Sequence, residues 1–220
     1  LPDTTLLGYT IGVERLPPPG ADPREARGDE MLDPLNPERL GTRGDVSILR
    51  LPRAPEQRWI VERAEAPKGR LEPGTLESRA LGATRAVTVY LPPGYDRLRE
   101  PARLVFVFDG DWFSKDLRAP TVLDNLHDER RIPPTVAVFV DAGDTRDRDL
   151  VNHEPFAEFM ANELLPWVVE RYRVSRVPGH VALSGASFGG LAAAFIALRH
   201  PDRFGNVLSQ SGAFWPPPGW

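Results

Sequence analysis

No cysteine occurs in the 220 residues, which excludes a disulfide, a thiolate nucleophile and any cysteine-based zinc or iron–sulfur site. A cysteine-free chain suits cytosol and periplasm equally. Lysine is scarce as well: of 27 basic residues only Lys68 and Lys115 are not arginine, an imbalance that carries no functional reading. Long apolar runs are also missing. The longest, Leu191 to Leu198, falls far short of the roughly 20 residues that span a bilayer. No basic-then-apolar leader opens the chain, although it starts at Leu1, which leaves room for a leader removed earlier. A net charge of −4 supplies no general electrostatic reason to bind nucleic acid. What remains, 41% hydrophobic and 26% charged residues, is the balance of a folded globular chain.

The chain changes character near residue 58. Residues 1–57 carry Leu16-Pro17-Pro18-Pro19-Gly20, Asp33-Pro34-Leu35-Asn36-Pro37 and several charge clusters. Proline fixes φ and removes a donor, so this stretch reads as extended chain, turns and linker, with too little apolar content for its own core. Leu6 to Val13 is expected to be one strand of a sheet that begins upstream. Two Arg-Gly-Asp triplets, Arg27-Gly28-Asp29 and Arg43-Gly44-Asp45, are chance products of an Arg-, Gly- and Asp-rich composition.

From residue 58 onward strands and helices alternate. Trp59 to Ala64 and Ala86 to Leu91 have the period-two rhythm of strands. Leu104 to Phe108, Val136 to Val140 and Val181 to Leu183 are continuous apolar runs, stopped by Asp109-Gly110, Asp141 and Ser184-Gly185; Val207-Leu208 starts a fourth. Such runs suit strands buried on both faces of a parallel sheet. Between them, Phe156 to Tyr172 has helical spacing with an expected kink at Pro166, and Leu191 to Arg199 is an Ala-rich helix. The expected class is therefore α/β, a mostly parallel sheet with helices on both faces. Ligands bind such sheets at the carboxyl edge of the strands, where Asp109-Gly110, Asp141 and Gly185 fall.

Gly185-Ala186-Ser187-Phe188-Gly189 fits Gly-x-Ser-x-Gly. Alone the pattern is weak, but here a buried strand leads in and a helix leads out, the setting of a nucleophile elbow. Glycines on both sides relieve the crowding of the bend, and the helix start favours a developing negative charge. The competing reading is a tight glycine turn holding an ordinary serine. An oxyanion in such a site is held by two backbone amides. Phe188 is the first candidate; the turn Asp109-Gly110-Asp111-Trp112 is expected to give the second from Asp111, with Trp112 next. The competing reading there is a plain strand-end turn.

Taken together, these residues resemble the enterochelin (enterobactin) esterase family of α/β-hydrolases. The similarity is carried by Gly185 to Leu191, Arg199-His200-Pro201-Asp202-Arg203-Phe204-Gly205, Val207-Leu208-Ser209-Gln210-Ser211-Gly212 and Trp215. Weaker matches are Asp109 to Phe113, Asp141 to Arg146 and Glu163 to Pro166. Asp33 to Pro37 is similar to the stretch that follows the family's N-terminal β-sandwich. The resemblance implies residues 1–57 as the end of that sandwich plus a Pro-rich linker, and 58–220 as a hydrolase domain lacking its last strands. It also implies a cytoplasmic serine esterase that opens the ester bonds of ferric catecholate siderophores through a Ser187 acyl-enzyme. Trp112, Trp215 and Arg146 are the implied contacts to that flat, aromatic, anionic substrate. A packing lid for the tryptophans and a solvated charged loop for Arg146 remain as alternatives. Asp149 stands where the family usually has Glu. No cofactor, metal site, nucleic acid or membrane is implied, any iron belonging to the substrate.

The triad order in these hydrolases is serine, then acid, then histidine, and no histidine follows His200. His180 precedes the elbow strand, at the wrong edge. His200 lies roughly 20 Å down the helix at about 1.5 Å per residue, and His127 falls near the end of a helix. Only His153 sits at the correct edge. The acid and base are thus expected beyond Trp220, and the chain alone is expected to have little or no esterase activity. Two rivals stand: another carboxylic-ester hydrolase or acyltransferase of the same fold, and a truncated module that binds a siderophore without cleaving it.

Overall fold

The structure, a computed structural model, describes residues 3, 5–12, 30–40, 46–141 and 143–215. The proline run at 16–20, Val13 and both Arg-Gly-Asp triplets lie outside these residues. The chain divides into two compact units, Leu1–Arg58 with Lys115–Leu117, and Trp59–Ser114 with Arg118–Trp220.

In the first unit, β1 (Leu6–Tyr9), β5 (Val46–Arg50) and β4 (Arg39–Leu40) form an antiparallel sheet in the order β1-β5-β4, and β2 (Ile11–Gly12) pairs with β3 (Glu30–Met31). Asp33-Pro34-Leu35-Asn36 forms the turn that ties this sheet together. Asp33 accepts hydrogen bonds from the Tyr9 hydroxyl at 2.6 Å and the Leu35 amide at 2.8 Å, and the Asn36 side chain donates to the Ile48 carbonyl.

The second unit is built on six strands in the order β11-β10-β8-β9-β7-β6: β6 (Arg70–Ser78), β7 (Ala83–Leu91), β8 (Arg103–Phe108), β9 (Thr135–Val140), β10 (Val181–Ala186) and β11 (Asn206–Gln210). The last four named run parallel; β6 and β7 are antiparallel additions. The apolar runs became central strands because both faces are covered. Phe106, Phe108, Val138 and Leu183 are fully buried in one cluster with Phe156, Phe159, Met160 and Val168, and β9 is buried from Val136 to Val140. Each buried phenylalanine stabilises the fold by about 2–3 kcal/mol. No helix among the described residues is long and apolar enough to cross a membrane.

Chain order and strand order diverge at β8: the next strand, β9, lies on one side of it and β10 on the other. A crevice at the carboxyl ends of the strands is the usual consequence.

Two local expectations need correction. Trp59 to Ala64 is turns and bends rather than a strand. Its polar backbone is held by a side chain: Asn125 on α1 (Ala119–Asp128) donates to the carbonyls of Trp59 and Val61 at 2.7 and 2.9 Å. The edge strand is instead β6, masked in the sequence by Pro73-Gly74; proline is tolerated because an edge strand has one side unpaired. Helix Phe156 to Tyr172 starts earlier and contains a wider turn: α3 (Glu154–Glu158), a π segment at Phe159–Leu164, then α4 (Leu165–Arg171). The Leu165 amide reaches back to Met160, so Pro166 enters at the start of a fresh α register, where its missing donor costs little.

Candidate active site

The elbow is one of several places among the described residues where a non-glycine residue takes a positive φ. β10 runs on through Ser184, Gly185 and Ala186, and α5 (Phe188–Arg199) begins directly after Ser187. Ser187 has φ 53° and ψ −119°, a conformation that costs a non-glycine residue on the order of 1–3 kcal/mol and survives only where its surroundings enforce it. The surroundings are visible. A Cβ on Gly185 would lie 2.5 Å from the backbone of Gly189, so only glycine lets the helix fold back so tightly. The Ser187 amide donates to the Gln210 carbonyl at 3.0 Å, and its carbonyl accepts from the Ala213 amide at 3.0 Å and from Leu191 at 3.1 Å. The side chain itself is exposed, at the carboxyl edge.

β8 ends beside it. Asp109 has φ 55°, a region where aspartate is one of the few residues commonly found. A Cβ on Gly110 would lie 2.7 Å from the β9 backbone, so the chain leaves β8 pressed against its neighbour. The expected loop after Gly110 is a helical turn instead, continuing as a π segment at Trp112–Asp116. Asp111 therefore sits at the start of a helical turn, and Phe188 at the start of α5.

Arg146 opens α2 (Arg146–Leu150), after β9, and reaches across to Asp109. Its Nε donates to one carboxylate oxygen at 2.6 Å and an Nη to the other at 2.8 Å. This two-pronged pair raises the Arg146 pKa above its ordinary value. The guanidinium carbon lies 5.7 Å from the centre of the Phe188 ring. Ser187, Phe188, Arg146 and the Asp109–Asp111 turn are thus joined directly. Trp112 packs edge-on against Phe113 and is 45% exposed, while Trp215 is 64% exposed, two residues past the amide that bonds Ser187. No hydrogen bond or ring contact among the described residues joins either tryptophan to Ser187.

Against known proteins, residues 78–219 match the model of the Esterase family. The chain belongs to that family. Within it, this chain is 35% identical over 192 residues to the iron(III) enterobactin esterase of Escherichia coli O6:H1, covering 85% of this chain and 47% of the relative. It is 32% identical to the corresponding esterase of Dickeya dadantii, covering 94% and 52%. The solved ferric enterobactin esterase of Salmonella typhimurium superposes with a TM-score of 0.81 at 32% identity, covering 98% and 58% of the two chains. The Shigella flexneri enzyme, solved in the presence of enterobactin, gives 0.75 at 34% identity, covering 86% and 49%. The fold is that of an α/β-hydrolase. The chain spans about half the length of the curated relatives it matches.

Among the described residues, none of the four histidines hydrogen-bonds Ser187. His127 and His180 lie at the amino edge, and His200 lies 3.7 Å from Glu158. His153, at the carboxyl edge, has its Nδ1 3.4 Å from Asp149. Asp149 is the polar group that sequence reasoning left without a role. It is fully buried and accepts hydrogen bonds from Arg85 on β7, from the Arg148 Nε at 2.8 Å and from the Thr145 hydroxyl at 2.6 Å. It pins the residues on both sides of Arg146. Arg85 lies 64 residues away in the chain, and no local spacing signals such a pairing.

Proposed function

We propose that this chain carries the nucleophile of a serine esterase that hydrolyses the ester bonds of ferric catecholate, enterobactin-type siderophores. The observation that carries the reading is the strained, exposed Ser187 between β10 and α5, in a chain similar to enterobactin esterases over most of its length. The Ser187 hydroxyl attacks the ester carbonyl, its proton passing to a base and the carbonyl electrons to oxygen. The amides of Phe188 and Asp111 are assigned to that oxyanion. Collapse expels the alcohol and leaves an acyl-enzyme, which water cleaves to regenerate Ser187. By the triad order the acid and histidine are assigned to sequence after β11. Trp112 and Trp215 are assigned as flat faces for catecholate rings, and Arg146 as the nearby cation. Cleavage then releases iron in the cytoplasm. The first unit is read as the end of an N-terminal β-sandwich, a reading supported by its antiparallel sheet and by the near-complete coverage of this chain in the Salmonella superposition.

The test is turnover of ferric enterobactin by the natural gene product, measured beside feruloyl and short-chain acyl esters. Ferric enterobactin is expected to be the preferred substrate, and Ser187→Ala to lower its turnover by at least about 10³-fold. Preference for a simple ester would redirect the assignment within the fold. Tight binding without hydrolysis would make the protein a siderophore-binding module.

A further inference from the structure

A cleft opens at the far end of the elbow strand. Ser187 follows the carboxyl end of β10, whereas Val181 begins it, and extended chain at about 3.3 Å per residue sets the two roughly 20 Å apart. The cleft has a volume of about 260 Å³ and is lined by Val181, by Leu165, Val169 and Glu170 of α4, and by Arg176 and Arg203. Val181 and Leu165 are 1% and 7% exposed, so the floor is an apolar wall. The volume is a little below that of cavities that enclose drug-sized molecules. It suits a single ring or a short chain.

The two arginines come from separate loops, one after α4 and one after α5, and both loops are fixed. The Ser175 amide donates to the Ala102 carbonyl at 2.8 Å; its hydroxyl accepts the Val177 amide at 3.3 Å and lies 2.8 Å from the His180 Nδ1. The Gly205 amide donates to the Pro178 carbonyl at 2.9 Å, and a Cβ on Gly205 would lie 2.7 Å from the Pro178 backbone. The loops therefore close on each other at a point where only glycine fits. Glu170 is 3.8 Å from Arg171, and Arg203 is 3.4 Å from the exposed Asp202. No ion pair among the described residues engages Arg176. Two guanidiniums against one carboxylate leave the cleft one positive charge in excess, on backbone that cannot easily move away. An anion at the rim relieves the repulsion between them.

We propose that this cleft is a binding site for a small monocarboxylate with an apolar body. The carboxylate sits between Arg176 and Arg203, whose planar forks match its geometry, and the ring or chain lies against Val181, Leu165 and Val169. Glu170 opposes any anion of higher charge. The inference stands apart from the Ser187 esterase reading and does not depend on it.

The natural gene product is titrated with sodium benzoate, followed by saturation-transfer NMR. Saturable binding is expected. Benzamide, which keeps the ring and lacks the charge, acetate, which keeps the charge and lacks the ring, and inorganic phosphate should each bind at least about tenfold more weakly. Arg176→Gln and Arg203→Gln should each weaken benzoate by about tenfold, with urea midpoints confirming that both variants are folded. Benzoate that fails to saturate overturns the proposal. So does benzamide, acetate or phosphate binding as tightly as benzoate, or an unchanged benzoate affinity in either folded arginine variant, which would place the ligand elsewhere on the protein.

Discussion

At the carboxyl edge of the main sheet the backbone is bent into rare conformations at Asp109 and Ser187, and the serine hydroxyl is left exposed. At the amino edge, the ends of the same layer hold a polar network with its hydrogen bonds made. Tyr90 donates to Asp124 at 2.8 Å, Asp124 also accepts the Gly69 amide at 2.7 Å, and His127 accepts the Thr135 amide on Nε2 at 3.2 Å. The Nδ1 of His127, which then carries the proton, faces the Tyr90 hydroxyl at 3.4 Å, and the rings stack 6.1 Å apart. Each edge has a left-handed non-glycine residue, Asp109 at one and Arg130 at the other; the carboxyl edge adds the φ 53°, ψ −119° of Ser187, and the amino edge the paired polar groups. Strain of this kind persists only where the surroundings enforce it, and satisfied networks fix packing.

The sharpest way to break this contrast is Gly185→Ala. The new methyl meets backbone rather than a mobile side chain, so a loss of about 3 kcal/mol or more is expected, together with loss of fluorophosphonate labelling at Ser187. Urea unfolding and labelling measured side by side check both; a stable, labelled variant would show that the bend tolerates a side chain. At the opposite edge, Tyr90→Phe removes one buried donor while Asp124 keeps the Gly69 amide. A destabilisation of about 1–2 kcal/mol is expected, with labelling at Ser187 unchanged.

The smallest effect is a pH dependence. Burial pushes the His127 pKa below its ordinary value of 6.5, against the weaker opposing pull of Asp124; Asp128 and Arg130 line the same cavity. The folded state therefore favours neutral His127, and the unfolded chain binds the extra proton first. Stability from this group is complete above the ordinary histidine value and is lost as pH falls toward the folded value. Urea midpoints between pH 7 and 5 should show this slope, and His127→Gln should flatten it.

The same contrast marks what the sequence made legible. The central strands β8, β9 and β10 were readable because burial on both faces demands unbroken apolar runs, and Ser187 because its bend demands glycines at fixed spacing. Trp59 to Ala64 misled because alternation records one covered face, and here the backbone partner is the Asn125 side chain rather than a strand. β6 was hidden by Pro73, which reads as a break but is accommodated at an edge. Asp109 and Asp149 were the hardest. Each takes its meaning from an arginine distant in the chain, and a long-range pair leaves no periodic trace.

The backbone of Ser187 is tied on both sides to the segment after it in space: its amide to Gln210 at the end of β11, its carbonyl to Ala213 just beyond. The Ser187 hydroxyl thus takes its bearing from a third element, not only from the strand and helix it joins. β11 acts as a tiller. A one-residue slip of that strand against β10 would turn the serine without touching any residue of the glycine-rich bend.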